Sequence, residues 1–190
     1  MKKIILCIIM IISLFGCGKS NDKTDEVDVL GKEIINHLNN GSEDIYKAIH
    51  TITTKNEFGN YTSEFLLTNS LEGISNINGK GVIYFDEKCN VYHITLKYEK
   101  LNSTQLQNIY YPLNAFYLQL MTKTSNPIDI GNIDNDKTML ISNHLYNLNQ
   151  LPPFGDDLLI ENGNYITTVS CTPPFYPGDQ DCSVQLSIGL

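Results

Sequence analysis

From residue 60 onward the apolar residues of this chain come in short runs cut apart by Gly and Asn, at 61–67, 81–85 and 91–98. Runs this short, bounded by turn-forming residues, specify strands. The last of them alternates, with Tyr92, Ile94, Leu96 and Tyr98 on one side and Val91, His93, Thr95 and Lys97 on the other, which is the period of a sheet with unlike faces. Residues 86–90, which include Cys89, form the hairpin turn before it. Further strands are expected at 139–142, 158–161, 165–171 and 183–188, with Asn162-Gly163 as a tight turn. Helical spacing is confined to two other regions. Val27, Leu30, Ile34 and Leu38 lie on one helical stripe, with Thr24 or Asp25 as N-cap and Gly41 as the stop. Ser42, Glu43 and Asp44 open a second helical stretch through Ile45, Ile49 and Ile52, so a helical hairpin is expected at the start. Residues 103–121 carry Leu106, Ile109, Leu113, Phe116 and Leu120 on a stripe, and Pro112 kinks that helix or marks a new start. The fold class that follows is α+β: N-terminal helices, an antiparallel sheet of short hairpin strands, and one middle helix packed on it, all within a single domain over 26–190.

Upstream of the domain, Lys2 and Lys3 precede an apolar run over 4–15 broken only by Ser13. As a helix this run is about 18 Å long, against about 30 Å of bilayer hydrocarbon, so it has the length of a secretory signal and not of a membrane span. It ends in Leu14-Phe15-Gly16-Cys17, which resembles the lipobox of bacterial lipoprotein precursors. The resemblance implies cleavage before Cys17, a diacylglycerol thioether on its sulfur, and further acylation of its new amino group. Two or three acyl chains anchor a protein stably where a single chain does not. Gly18 in place of Asp after the cysteine implies, by the same resemblance, an outer-membrane address facing the periplasm. Residues 17–25 then read as a lipidated polar tether.

Cleavage after residue 16 of the 190 leaves 174 residues, enough for one domain with a real core. It removes two lysines and no acid, taking the net charge from −8 to −10. Every basic residue is Lys, so the chain lacks the planar guanidinium fork. This charge repels nucleic acid and excludes it as a partner. It suits solubility beside a membrane or attraction to a basic partner.

Outside the cytoplasm Cys171 and Cys182 read as a disulfide closing a loop of twelve residues, worth roughly 3 kcal/mol in the chain-entropy view. Pairing of Cys89 with either of them is the alternative, and a buried free thiol is its other role.

The residues offer no marked chemistry. His37, His50, His93 and His144 lack a second ligand at zinc spacing. No Gly-x-Ser-x-Gly elbow is present, and Gly79-Lys80-Gly81 lacks the rest of a phosphate loop. Cys89 and His93, four apart on an extended segment, are too far apart to cooperate unless the turn folds back. Asp129, Asp134 and Asp136 lie in a Gly- and Asn-containing stretch without the spacing of a helix-loop-helix calcium site. No catalytic residue, metal or cofactor is expected.

The distinctive feature is a repeated tripeptide, Pro152-Pro153-Phe154 before Gly155-Asp156-Asp157 and Pro173-Pro174-Phe175 before Tyr176-Pro177-Gly178-Asp179. Prolines stiffen both loops, so ordering them on binding costs little entropy. Two readings stand: the rings plug their loops into the core, or Phe154, Asp156, Phe175, Tyr176, Asp179 and Asp181 form an aromatic and acidic patch for a basic protein. The functional expectation is a non-enzymatic envelope lipoprotein that binds another protein, as an inhibitor or as an immunity protein against a secreted toxin. A structural or assembly lipoprotein of an envelope machine is the alternative. A small hydrolase using Asp156, Asp157 and a histidine is the third reading.

Overall fold

The computed structural model describes residues 22–42, 44–147, 158–162, 165–172 and 182–189. Its strands are β1 (Tyr46–Lys55), β2 (Tyr61–Asn69), β3 (Asn78–Phe85), β4 (Val91–Leu101), β5 (Leu158–Asn162), β6 (Tyr165–Thr172) and β7 (Cys182–Gly189). Its helices are α1 (Thr24–Asn39), α2 (Ser103–Leu120) and α3 (Asn135–Asn147). The seven strands form one antiparallel sheet in the order β1-β2-β3-β4-β7-β6-β5. Two meanders, β1 to β4 and β5 to β7, therefore meet at a β4–β7 seam, and the chain is α+β.

Period-two patterning decides which face is covered. On one face Phe65 and Leu67 of β2, Ile83 and Phe85 of β3, Ile94, Leu96 and Tyr98 of β4, Val184, Leu186 and Ile188 of β7, and Tyr165 and Val169 of β6 are buried. The helices lie over that face: α1 packs on β1 and β2, α2 on β4, β7 and α1, and α3 on α2 and β5. Phe116 of α2 ties these layers together, stacking on Phe65 at 6.0 Å and meeting Tyr46 of β1 at 6.5 Å. The α2 N-terminus is held by a capping box, in which the Asn102 side chain accepts from the Gln105 amide and the Gln105 side chain accepts from the Asn102 amide. Helix α2 continues across Pro112 to Leu120.

Two elements differ from the sequence expectation. The second half of the expected helical hairpin is strand β1. Its isoleucines fall at helical spacing, but Ile49 and Ile52 are exposed, and the residues turned to the core are Tyr46 and Ala48. Helix α1 shields the outer edge of this strand. The Asn39 side chain accepts from the Ala48 amide at 2.7 Å and donates to the Ala48 carbonyl at 2.9 Å, standing in for a neighbouring strand. Farther along, Asp28 accepts from the Thr53 hydroxyl at 2.9 Å and lies 3.3 Å from His50. The expected strand at 139–142 is instead part of α3, which buries Thr138, Ile141 and Leu145 at helical spacing and leaves Met139 and Leu140 exposed. Its first turn is capped by Asp134, whose carboxylate accepts from the amides of Asp136 and Lys137.

Candidate functional site

The face of the sheet turned away from the helices is open, and register fixes what it displays. One row across the strands runs Ile49, Leu66, Lys80, Lys97, Gln185 and Ser170. The next runs Ile52, Glu64, Val82, Thr95, Ser187, Thr168 and Leu159. A third brings Thr54, Thr62, Tyr84 and His93 together, with the Thr54 and Thr62 hydroxyls 2.8 Å apart and the Tyr84 and His93 rings 5.4 Å apart. The centre of the face is thus polar and rich in hydroxyls, while aliphatic side chains flank it at the β1–β2 and β5–β6 margins. Partial burial holds the His93 pKa below the usual histidine value.

Lys80 and Lys97 are direct partners across β3 and β4. With Asn78, Glu99 and Lys100 they line a recess of about 180 Å³. Lys97 Nζ lies 2.6 Å from Glu99 Oε1, and contact with this ammonium first, then Lys80 and Lys100, holds the Glu99 carboxyl below the ordinary range. The β4 register shifts between Tyr98 and Leu101, and within that bulge Lys100 takes a left-handed backbone with φ of 57°, an uncommon conformation for a residue with a side chain. Hairpin counting from the turn at 86–90, which closes on Phe85 and Val91, would have paired Lys80 with Leu96; a one-residue register shift between Tyr84 and Phe85 sets Lys80 opposite Lys97 instead.

The residues singled out from sequence fall elsewhere. Cys17, Phe154, Asp156, Asp157, Phe175, Tyr176, Asp179 and Asp181 lie outside the described residues. Cys171 stands opposite Val184 and so sits diagonally from Cys182 across the β6–β7 ladder. Cys171 and Cys182, expected as a disulfide, lie near each other without a bond between them here, and the Cys171 thiol pKa is pushed up to about 12 by burial and then by the nearby Cys182.

Cys89 and His93 do not converge. Cys89 is buried in its turn with φ of 69°, its thiol pKa raised by burial and then by Glu26 of α1. The His93 ring lies on the open face against Tyr84. Asp129 and Asp134 are engaged locally, Asp129 accepting from the Gly131 amide and Asp134 capping α3. Among the described residues no group of three His, Cys, Asp or Glu side chains is placed to hold a metal ion. A second recess, of about 390 Å³, lies in the connection between α2 and α3 and is lined by residues 123 and 126–131. No helix among the described residues is long and apolar enough to cross a membrane.

No family model matches the chain, and comparison with curated proteins and with solved structures finds no similar protein.

Proposed function

We propose that this chain is an exported lipoprotein, held at the outer membrane through lipid on Cys17, whose domain binds another protein in the periplasm as an inhibitor or immunity protein. The observation that carries the binding role is the open sheet face: central strands present hydroxyl, amide and ammonium groups in rigid rows, flanked by exposed Ile49, Ile52, Leu159 and Ile166. A polar centre on a stiff sheet with aliphatic margins offers complementarity at little ordering cost. The anchoring role is supported by the chain before the domain. Only the residues from 18 to 23 separate Cys17 from the first residue of α1, so the fold begins within a short tether of the proposed lipid. The Lys23 amide donates to the Tyr61 hydroxyl at 3.1 Å, which holds residue 23 at the end of the sheet where β2 begins.

Two measurements test the reading separately. Membrane fractionation and mass spectrometry of the wild-type chain and Cys17→Ser test the anchor: a diacylglyceryl mass on the processed wild-type protein, absent from the variant, is expected, and an unmodified Cys17 in a mature protein refutes it. A photo-crosslinking residue at Thr95 or Ser187 tests the surface. A single stoichiometric adduct from these positions, absent when the probe sits at the exposed Asn76 on the β2–β3 connection, is expected. Equal labelling from all three positions removes the open face as the docking surface.

A further inference from the structure

Lys80 and Lys97 break a rule of sheet construction. Like charges directly opposite one another destabilise a strand pair, yet these two ammonium side chains are cross-strand partners on the open face. Lysines that guard a sheet against wrong pairing belong on edge strands, whereas β3 and β4 lie inside the sheet. A third lysine, Lys100, joins them in the same recess from a left-handed position in the β4 bulge. Among the described residues only one carboxylate, Glu99, shares the recess, and it is committed to Lys97. In a chain with a net charge of −8 this local excess of two positive charges is an exception to the overall balance.

We propose that Asn78, Lys80, Lys97 and Lys100 form a binding site for a phosphate dianion. The charge excess matches a dianion, and the Asn78 amide adds a neutral donor. Ammonium groups act as compact point charges that surround a tetrahedral oxyanion from several directions, and lysine binds phosphate in this way where no guanidinium fork is present. A recess of about 180 Å³ has room for the anion with some of its water. Glu99 holds Lys97 while the site is empty and weakens the hold on the anion, so it sets the affinity without contributing to it. The site sits at the N-terminal end of β3 and the C-terminal end of β4, whereas Lys23 lies beside the start of β2, so it opens at the end of the sheet remote from Lys23. This inference does not depend on the protein-binding reading above.

The phosphate could be free or part of a lipid headgroup, and calorimetry on the full-length protein in neutral detergent separates the two. Inorganic phosphate and dihexanoyl phosphatidic acid are titrated at constant ionic strength, with chloride as the reference anion. Saturable one-to-one binding of inorganic phosphate is expected, weakened roughly tenfold by Lys80→Gln or Lys97→Gln, as loss of a charge-assisted bond predicts. It should be strengthened by Glu99→Gln and left unchanged by Lys88→Gln, which lies in the turn at the opposite end of these strands. The thermal melt of the Lys80 variant should be no lower than wild type, because it relieves a like-charge contact and leaves the Lys97–Glu99 ion pair in place. Tighter binding of the phosphatidic acid than of inorganic phosphate assigns the site to a headgroup, and equal or weaker binding assigns it to a soluble phosphate. Heats no larger than those of chloride, or equal losses in the Lys80 and Lys88 variants, overturn the proposal.

Discussion

Phe65 and Gly81 face each other directly across the β2–β3 ladder, and the phenyl ring fills the space in which a side chain on residue 81 would begin. The ring also stacks on Phe116 at 6.0 Å, which restricts where it can move. Glycine weakens a strand by itself, but here its missing side chain is what lets sheet and helix share one aromatic stack.

Gly81→Ala is therefore expected to destabilise the domain by about 1–3 kcal/mol, the usual cost of overpacking a close-packed core. In urea unfolding, the Phe65→Leu change should recover part of that loss in the Gly81→Ala background while costing stability alone, a coupling that two independent sites would not show. A Gly81→Ala protein as stable as its parent would show that the ring can move aside.

Asn162 fastens α3 to the sheet. Fully buried, its side chain accepts from the Asp134 amide at 2.8 Å and donates to the Asp134 carbonyl and the Thr138 hydroxyl. Asn162→Ala strands these partners, and a loss of about 2–3 kcal/mol is expected from unsatisfied groups of this kind. Amide hydrogen exchange should quicken in α3 more than in β1 or β2. Uniform quickening across the sheet would count against a local fastening.

The capping box of α2 is worth about 1 kcal/mol, which Asn102→Ala should remove and Asn102→Asp should largely retain. The midpoint of urea unfolding reads the difference. Equal midpoints for the alanine and aspartate variants would mean that the cap adds nothing beyond the packing of α2.

Acid should weaken the fold in two stages. Burial lowers the pKa of His93 and of His144, so the unfolded chain takes up protons first as pH falls through 6.5 and stability declines there until the folded histidines also protonate. The Asp28 pKa is lowered by hydrogen bonds from Lys32 and then Thr53. Its contribution is present above the unfolded value of 3.8 and is lost as pH falls through the lower folded value. Thermal melts from about pH 8 to about pH 3 should show both declines. His93→Gln combined with His144→Gln should flatten the first, and Asp28→Asn should reduce the second while lowering stability at neutral pH. A histidine double variant that keeps the full decline near the histidine range would place its cause elsewhere.

Strand β4 could be read from sequence because its two sides meet opposite environments, with Ile94, Leu96 and Tyr98 under the helices and Thr95 and Lys97 on the open face. Strand β1 could not, since it is an edge strand in which no residue past His50 is buried, and its isoleucines happen to fall three and four apart. The α3 run Met139-Leu140-Ile141 is a short apolar stretch that period alone leaves ambiguous. What decides it is Asn162, a residue remote in sequence that secures the helix start. The open face was hidden for a related reason: its rows exist only once seven strands are in register. Lys80 and Lys97 read as ordinary solvated charges until the β3–β4 pairing sets them opposite one another.

The seam between β4 and β7 governs the order in which the molecule assembles. Every pairing from β1 to β4 joins consecutive hairpins, whereas Ile94 must find Ile188 and Leu101 must find Cys182. Closing so long a loop costs chain entropy before any contact offsets it, so this step limits the rate of folding. A chain made from its N-terminus onward thus completes the first meander early and waits with the inner edge of β4 unpaired. During that interval the edge is open to strands of other molecules, and the arrival of β7 ends the exposure.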